Sequence, residues 1–216
     1  MNIYYAKKDQ MKFYIIPFNR GYVKNREIAS RFLSNRNIGS AALPISAESL
    51  WSMTAMVKEG FSVIDLSEYD EAYVSILIKS NIIELPEPAY CGFMEYQSEN
   101  MLKIHAVDMD EELYAEKYCE YITTYQLYKY HKIVDKFRQS EKIDTPERVL
   151  KELDNAIYSI EGFRKLENYR VDTIITKLLN IDIAEHPVVY LSENDRVETF
   201  LKRIKATGFT VSNLIF

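Results

Sequence analysis

The chain has 216 residues, 47% hydrophobic and 27% charged, the balance of an ordinary soluble globular protein long enough to bury a core. With only six glycines and six prolines it is neither a disordered chain nor a glycine-rich nucleotide-loop protein, and no stretch approaches the ~18 consecutive apolar residues of a membrane span. The net charge of −5 hides an asymmetry: residues 1–60 carry +5, residues 61–128 carry −11 and residues 129–216 carry +1.

If the basic head and acidic middle stay apart, the surface is dipolar; if they lie side by side, they neutralise each other. The start of the chain, Met1 to Lys8, lacks the long apolar run and small-residue cleavage site of a signal peptide. The two cysteines, Cys91 and Cys119, make no metal-ligand spacing, so a reduced cytoplasmic setting is the default expectation.

In chain order, Asn2–Ala6 and Lys12–Ile16 read as strands rich in Tyr and Ile, the second ended by Pro17. A basic helix is expected over 24–35, followed by a polar, loop-like stretch over 36–45. Ser46 is a good N-cap for a helix through Lys58 that ends at Gly60. Phe61–Leu66 alternates like a strand, and Ser67 to Asp70 is a capping-box pattern opening a helix to about Lys79. Ile82–Leu85, interrupted by Pro86 and Pro88, reads as an edge strand or loop. Cys91–Tyr96 and Leu102–Val107 read as a strand pair around a polar turn.

Asp108 and Glu111 cap the longest expected element, a helix running to about Gln139, roughly 45 Å at 1.5 Å per residue. After a short break at 140–144, Thr145-Pro146-Glu147 opens a second helix whose apolar face runs to Phe163. The two predict an antiparallel hairpin over about 109–168, with a small helix at about Val171–Leu179 beyond it. The end reads as strand Val188–Leu191, helix Asn194–Thr207 and strand Phe209–Phe216, with a capping-box pattern over Ser192 to Asp195. The predicted class is α+β: a mixed sheet built from the N- and C-terminal segments (1–108 and 181–216), with residues 109–180 as a helical insertion.

The sharpest pattern is a line of five tyrosines. Tyr114, Tyr118, Tyr121, Tyr125 and Tyr128, spaced 4, 3, 4, 3, fall within an arc of roughly 80° on one helix, and Lys132 and Lys136 extend the line. The opposite side carries Met109, Leu113, Leu127, Tyr130, Val134 and Phe137, enough for a core face. Buried tyrosines each bring a hydroxyl that needs a partner, so such a ridge suits a surface that meets something.

The residues therefore suggest a non-enzymatic cytoplasmic adaptor or inhibitor, docking through this face on a protein partner or on its own copy. An accessory factor of a mobile element or phage would have this character. A first alternative is nucleic-acid contact through the basic head, by Lys24, Arg26, Arg31 and Arg36. A second is a metal-dependent phosphoesterase using Asp65, Asp70, His105, Asp108 and Asp110, although capping accounts for several of these acids. No cofactor motif is present, and no metal is called for.

Overall fold

The computed structural model describes residues 2–34, 36–59, 67–77, 83–139 and 145–215. A hairpin opens the chain: β1 (Asn2–Lys8) pairs antiparallel with β2 (Met11–Phe18). At the turn, Asp9 takes a left-handed φ of 53°, which aspartate tolerates better than most side chains. A 3-10 turn over Val23–Glu27 leads into α1 (Ile28–Leu33), so the expected basic helix is shorter and tighter than its pattern suggests.

Next comes β3 (Ser40–Leu43), where the sequence suggests only a loop. Its residues are small, short in number and lack the aromatic or β-branched signature of a strand. It is nonetheless fully buried, because it lies between two parallel neighbours. Helix α2 (Ala47–Glu59) starts where Ser46 Oγ accepts the Ser49 N–H at 3.0 Å, and α3 (Glu68–Leu77) starts with Ser67 doing the same for Asp70 at 3.1 Å. The expected strand Phe61–Leu66 lies outside the described residues. Of the 82–85 segment, Ile83 makes an isolated bridge to Tyr22.

The expected strand Cys91–Tyr96 is instead the middle of α4 (Pro88–Asn100). Pro88 stands in the first turn, where proline starts a helix, and the Glu87 carboxylate accepts the Ala89 N–H. Then β4 (Lys103–Ala106) completes the parallel part of the sheet.

The long tyrosine helix is two helices, α5 (Glu111–Tyr121) and α6 (Thr124–Arg138). Ile122 is extended, with φ −108° and ψ 111°, and Thr123 and Gln126 form a reciprocal capping box that starts a new helix. Asp110, not Asp108, caps α5 by accepting the Leu113 N–H. The second leg divides too, into α7 (Pro146–Tyr158) and α8 (Glu161–Leu179), so the small helix anticipated at 171–179 is the continuation of α8. Gly162 sits where a Cβ would lie 2.4 Å from the Tyr121 carbonyl, which lets α8 begin against the break between α5 and α6. The break at 140–144 lies outside the described residues.

The chain ends β5 (Val188–Glu193), α9 (Val197–Ala206), β6 (Thr210–Ile215), close to expectation. The Ser192 to Asp195 capping box does not form: β5 runs through Glu193, and α9 starts at Arg196 without a side-chain cap.

Among the described residues the strands make one mixed sheet in the order β4-β3-β5-β2-β1-β6, with β4, β3, β5 and β2 parallel. The fold is α+β, and the sheet draws on both ends of the chain. Alternation sorts the side chains. Ile16, Phe18, Ala41, Leu43, Val189 and Leu191 face α1, α2 and α4, while Phe13, Ile15, Ala42, Val188 and Tyr190 face α8 and α9. With both faces covered, β5 reads as a continuous buried run. Helices α3, α6 and α7, together with the first turns of α8, pack through Tyr73, Leu150, Leu153, Ile157 and Phe163 into further clusters beyond the carboxyl ends of the parallel strands.

Candidate functional site

Four parallel strands end beneath this helical cap, and the residues that follow them are charged. Arg20 comes two residues after β2, Asp108 two residues after β4, and Glu193, Asp195 and Arg196 at or just after the end of β5. The chain leaves β3 toward α2 on one face and leaves β5 toward α9 on the other. In open sheets with parallel strands, such divergence opens a crevice at the carboxyl ends where ligands bind. Here the crevice has a wide part of about 660 Å³, within the usual range for small-molecule sites, and a narrow part of about 180 Å³. Tyr158, Glu167 and Arg196 border both parts.

Four asparagines, Asn19, Asn155, Asn168 and Asn194, line the wide part, together with Asp154, Asp195 and Glu167. Asp154 is 5% exposed. Its Oδ1 accepts the Tyr69 hydroxyl at 2.8 Å, and Asp195 lines the same part of the crevice. Burial first, then the neighbouring Asp195 carboxyl, push the Asp154 carboxyl up to about 8. Near neutral pH Asp154 therefore keeps its proton, so the cavity wall carries a carboxylic acid able to give a proton to a bound molecule.

Arginines fix the rest. Arg196 lies 2.9 Å from Glu167 and 3.0 Å from Glu193, and its Nη2 donates to the Tyr158 hydroxyl at 3.1 Å. That hydroxyl donates on to Glu167 Oε2 at 3.3 Å. Arg170 Nε donates to Asp108 Oδ2 at 2.6 Å, and its Nη2 donates to the Pro44 carbonyl at 3.2 Å. Arg20 donates to Asp70 at 2.7 Å and lies 5.0 Å over the Tyr69 ring. Burial alone would weaken each guanidinium's charge, but the surrounding carboxylates outweigh it and hold all three firmly protonated. The same arginines hold buried Glu193 ionised, below the usual carboxylate range, against the effect of burial. Where the two parts meet, Arg196 Nε and Glu167 Oε1 are 2.9 Å apart but out of line, so neither has a well-aligned hydrogen bond.

The residues singled out by sequence divide. Asp70 and Asp108 belong to this network, as partners of Arg20 and Arg170. His105 does not: its ring lies 2.5 Å from Glu185, beside Lys103 on the β4 edge. Asp110 caps α5, and Asp65 lies outside the described residues. No group of metal-ligating side chains forms among the described residues.

The tyrosine line is split by the helix break. On α5, Tyr118 packs edge-on against Phe163 at 6.0 Å and Tyr121 against Tyr169 at 6.3 Å. On α6 the opposite side turns inward, with Tyr130 stacked on Phe163 at 4.9 Å and Val134 buried. Tyr125 and Tyr128 are left 66% and 54% exposed, with Lys129 and Lys132 over their rings. Lys136 is exposed further along α6, and Tyr114 borders the narrow part of the crevice.

In the basic head, Arg26 pairs with Glu95 and Glu84 of the acidic middle, Arg31 pairs with Glu27, and Arg36 lies over Phe32. Lys24 is exposed. At Arg26 the basic and acidic blocks thus lie side by side.

Sequence reasoning missed Asp154, Glu167, Arg170, Asp195 and Arg196. For the last two the available signal was position, charged residues just after the strand that opens with the apolar run Val188–Leu191. Comparison with known proteins finds no matching family model, no matching curated protein and no matching solved structure.

Proposed function

We propose that the protein is an acid–base enzyme acting on a small polar molecule held in the crevice at the carboxyl ends of β2, β5 and β4. The observation that carries this reading is the buried carboxyl of Asp154 on the wall of a cavity of about 660 Å³ that Asp195 also lines. The asparagines suit hydroxyl or amide groups, since each offers both donors and an acceptor. Asp154 would deliver the proton, and Asp195, less buried, would act as the base. Such positioned proton transfer typically contributes 10²–10⁴-fold in rate.

The test is a thermal-shift screen of monosaccharides, nucleosides, their phosphates and amino acids. It compares the wild-type chain with Asn155→Trp and Thr199→Trp, substitutions at exposed positions on the cavity wall. A bound compound at ten times its Kd stabilises by ~1.4 kcal/mol, a rise of about 3–6 °C for a chain of this size. The reading expects such a rise for one class and its loss in the tryptophan variants. A rise that survives both variants, or none from any class, contradicts it.

A second reading rests on the exposure of Tyr125 and Tyr128: α6 docks on a second copy of the chain through these rings. Sedimentation of wild type against Tyr125→Ser/Tyr128→Ser tests it. A wild-type dimer that becomes monomeric supports the reading, and a monomeric wild type removes it.

A further inference from the structure

The narrow part of the crevice differs in character from the wide part. Among the described residues its charged lining is Arg20, Arg170, Arg196 and Glu167, so it is net positive, whereas acids outnumber bases in the wide part. The carboxylates that anchor the three guanidiniums, Asp70, Asp108 and Glu193, do not line it. They hold the arginines without lining the cavity, and Glu167 is the one carboxylate among the described residues that does line it.

Donor accounting shows what is left over. A guanidinium has five N–H donors. Arg20 spends its hydrogen bonding on Asp70 through Nη2, and its guanidinium carbon lies 5.0 Å from the centre of the Tyr69 ring. Its Nε and Nη1 have no hydrogen-bond partner among the described residues. The hydroxyls of Tyr114 and Tyr130, which also border the space, form no hydrogen bond with any described residue. An aligned fork with unspent donors, further arginines alongside and tyrosine hydroxyls around it is the arrangement that grips a tetrahedral or planar oxyanion. The volume of about 180 Å³ is ample for one such group.

We infer that the narrow part of the crevice is the phosphate subsite of the enzyme, so that its substrate is a phosphate monoester whose polar body lies in the wide part. This rests on the crevice being the active site, as proposed above, and it names the substrate class. The phosphate would take the Arg20 N–H donors that Asp70 leaves unused, and the tyrosine hydroxyls as single donors. The body would extend past Arg196 and Tyr158 toward Asp154 and Asp195.

The experiment is calorimetric titration at pH 7 and low salt with three probes: inorganic phosphate, ribose 5-phosphate and ribose. It uses wild type, Arg20→Lys, Tyr114→Phe and Asn155→Trp. Wild type should bind inorganic phosphate saturably and ribose 5-phosphate more tightly. Arg20→Lys keeps the charge but loses the fork, and should weaken both by about tenfold or more. Tyr114→Phe removes only a hydroxyl without a partner in the fold, so it should fold normally and weaken phosphate about three- to tenfold. Asn155→Trp should abolish the advantage of ribose 5-phosphate while leaving inorganic phosphate bound.

No saturable phosphate binding by the wild-type chain overturns the inference. So does binding indifferent to both Arg20→Lys and Tyr114→Phe. If ribose or another uncharged compound binds and is blocked by Asn155→Trp while phosphate does not bind, the phosphate subsite falls and the crevice reading stands. If phosphate binds as described and nothing ever occupies the wide part, the crevice reading falls and the anion site stands.

Discussion

Replacing Asp154 by asparagine should flatten the pH dependence of stability. In the fold this carboxyl is raised to about 8, whereas in the unfolded chain it titrates near ~3.9. A group whose folded-state pKa is raised stabilises the fold fully below its unfolded pKa, and that stability is lost as pH rises through the folded value. Between the two values the folded state holds a proton that the unfolded state has released, so unfolding becomes easier with each unit, by ~1.4 kcal/mol. Over pH 5–8 this amounts to at most about 4 kcal/mol. Asparagine keeps the contact with Tyr69, its oxygen accepting the hydroxyl as Oδ1 does, and brings no charge into the buried site. Asp154→Asn should therefore exceed wild type by only about 1.5 kcal/mol at pH 5 and by several kcal/mol more at pH 8. Urea denaturation at pH 5, 6, 7 and 8 reads this directly. Two stability profiles that stay parallel across the range would refute the argument for a protonated, buried Asp154.

Three further outcomes follow from the geometry. Tyr118→Ala, which strips an edge-on contact from Phe163, should cost about 2 kcal/mol in urea denaturation, whereas Tyr125→Ala on exposed α6 should stay within ~0.5 kcal/mol. Gly92→Ala should destabilise by about 1–3 kcal/mol despite the better helix propensity of alanine, because its Cβ would lie 2.0 Å from the Arg26 carbonyl oxygen; a gain in thermal midpoint would show that α4 shifts freely. Thr123→Ala removes the cap that starts α6 and should lower stability by ~1 kcal/mol, with the loss appearing as faster amide exchange in the first turn of α6.

Periodicity and turn chemistry revealed much of this fold and misled where a tertiary constraint took over. The N-terminal hairpin and the β5-α9-β6 end were legible because their apolar alternation and the glycine at Gly208 are local signals. Strand β3 was not, since Ser40, Ala41 and Ala42 owe their place to burial between β4 and β5 and not to any propensity of their own. The five-tyrosine line was a true 3.6-residue pattern, yet the capping pair Thr123–Gln126 inside it breaks the helix and turns Tyr125 and Tyr128 away from the side that Tyr118 and Tyr121 pack against. The site was legible only in fragments. Asp70 and Asp108 stood out as acids near strand ends, but Asp154 and Arg170 lie on helices far along the chain and join them only through the packing of α7 and α8 over the sheet. Local capping patterns also drew attention from Asp195, which reads as a helix-start residue and serves as half of a carboxyl pair.

The central claim, that the crevice and not the tyrosine surface is where this protein works, is tested most directly by amide and side-chain chemical-shift mapping while pools of small phosphorylated and uncharged polar compounds are added. The account predicts that shifts concentrate on Asn155, Asn168, Asn194 and Thr199 in the wide part and on the Arg20 guanidinium in the narrow part. Shifts confined to Tyr125 and Tyr128 on α6, or a spectrum unmoved by every pool, would contradict it.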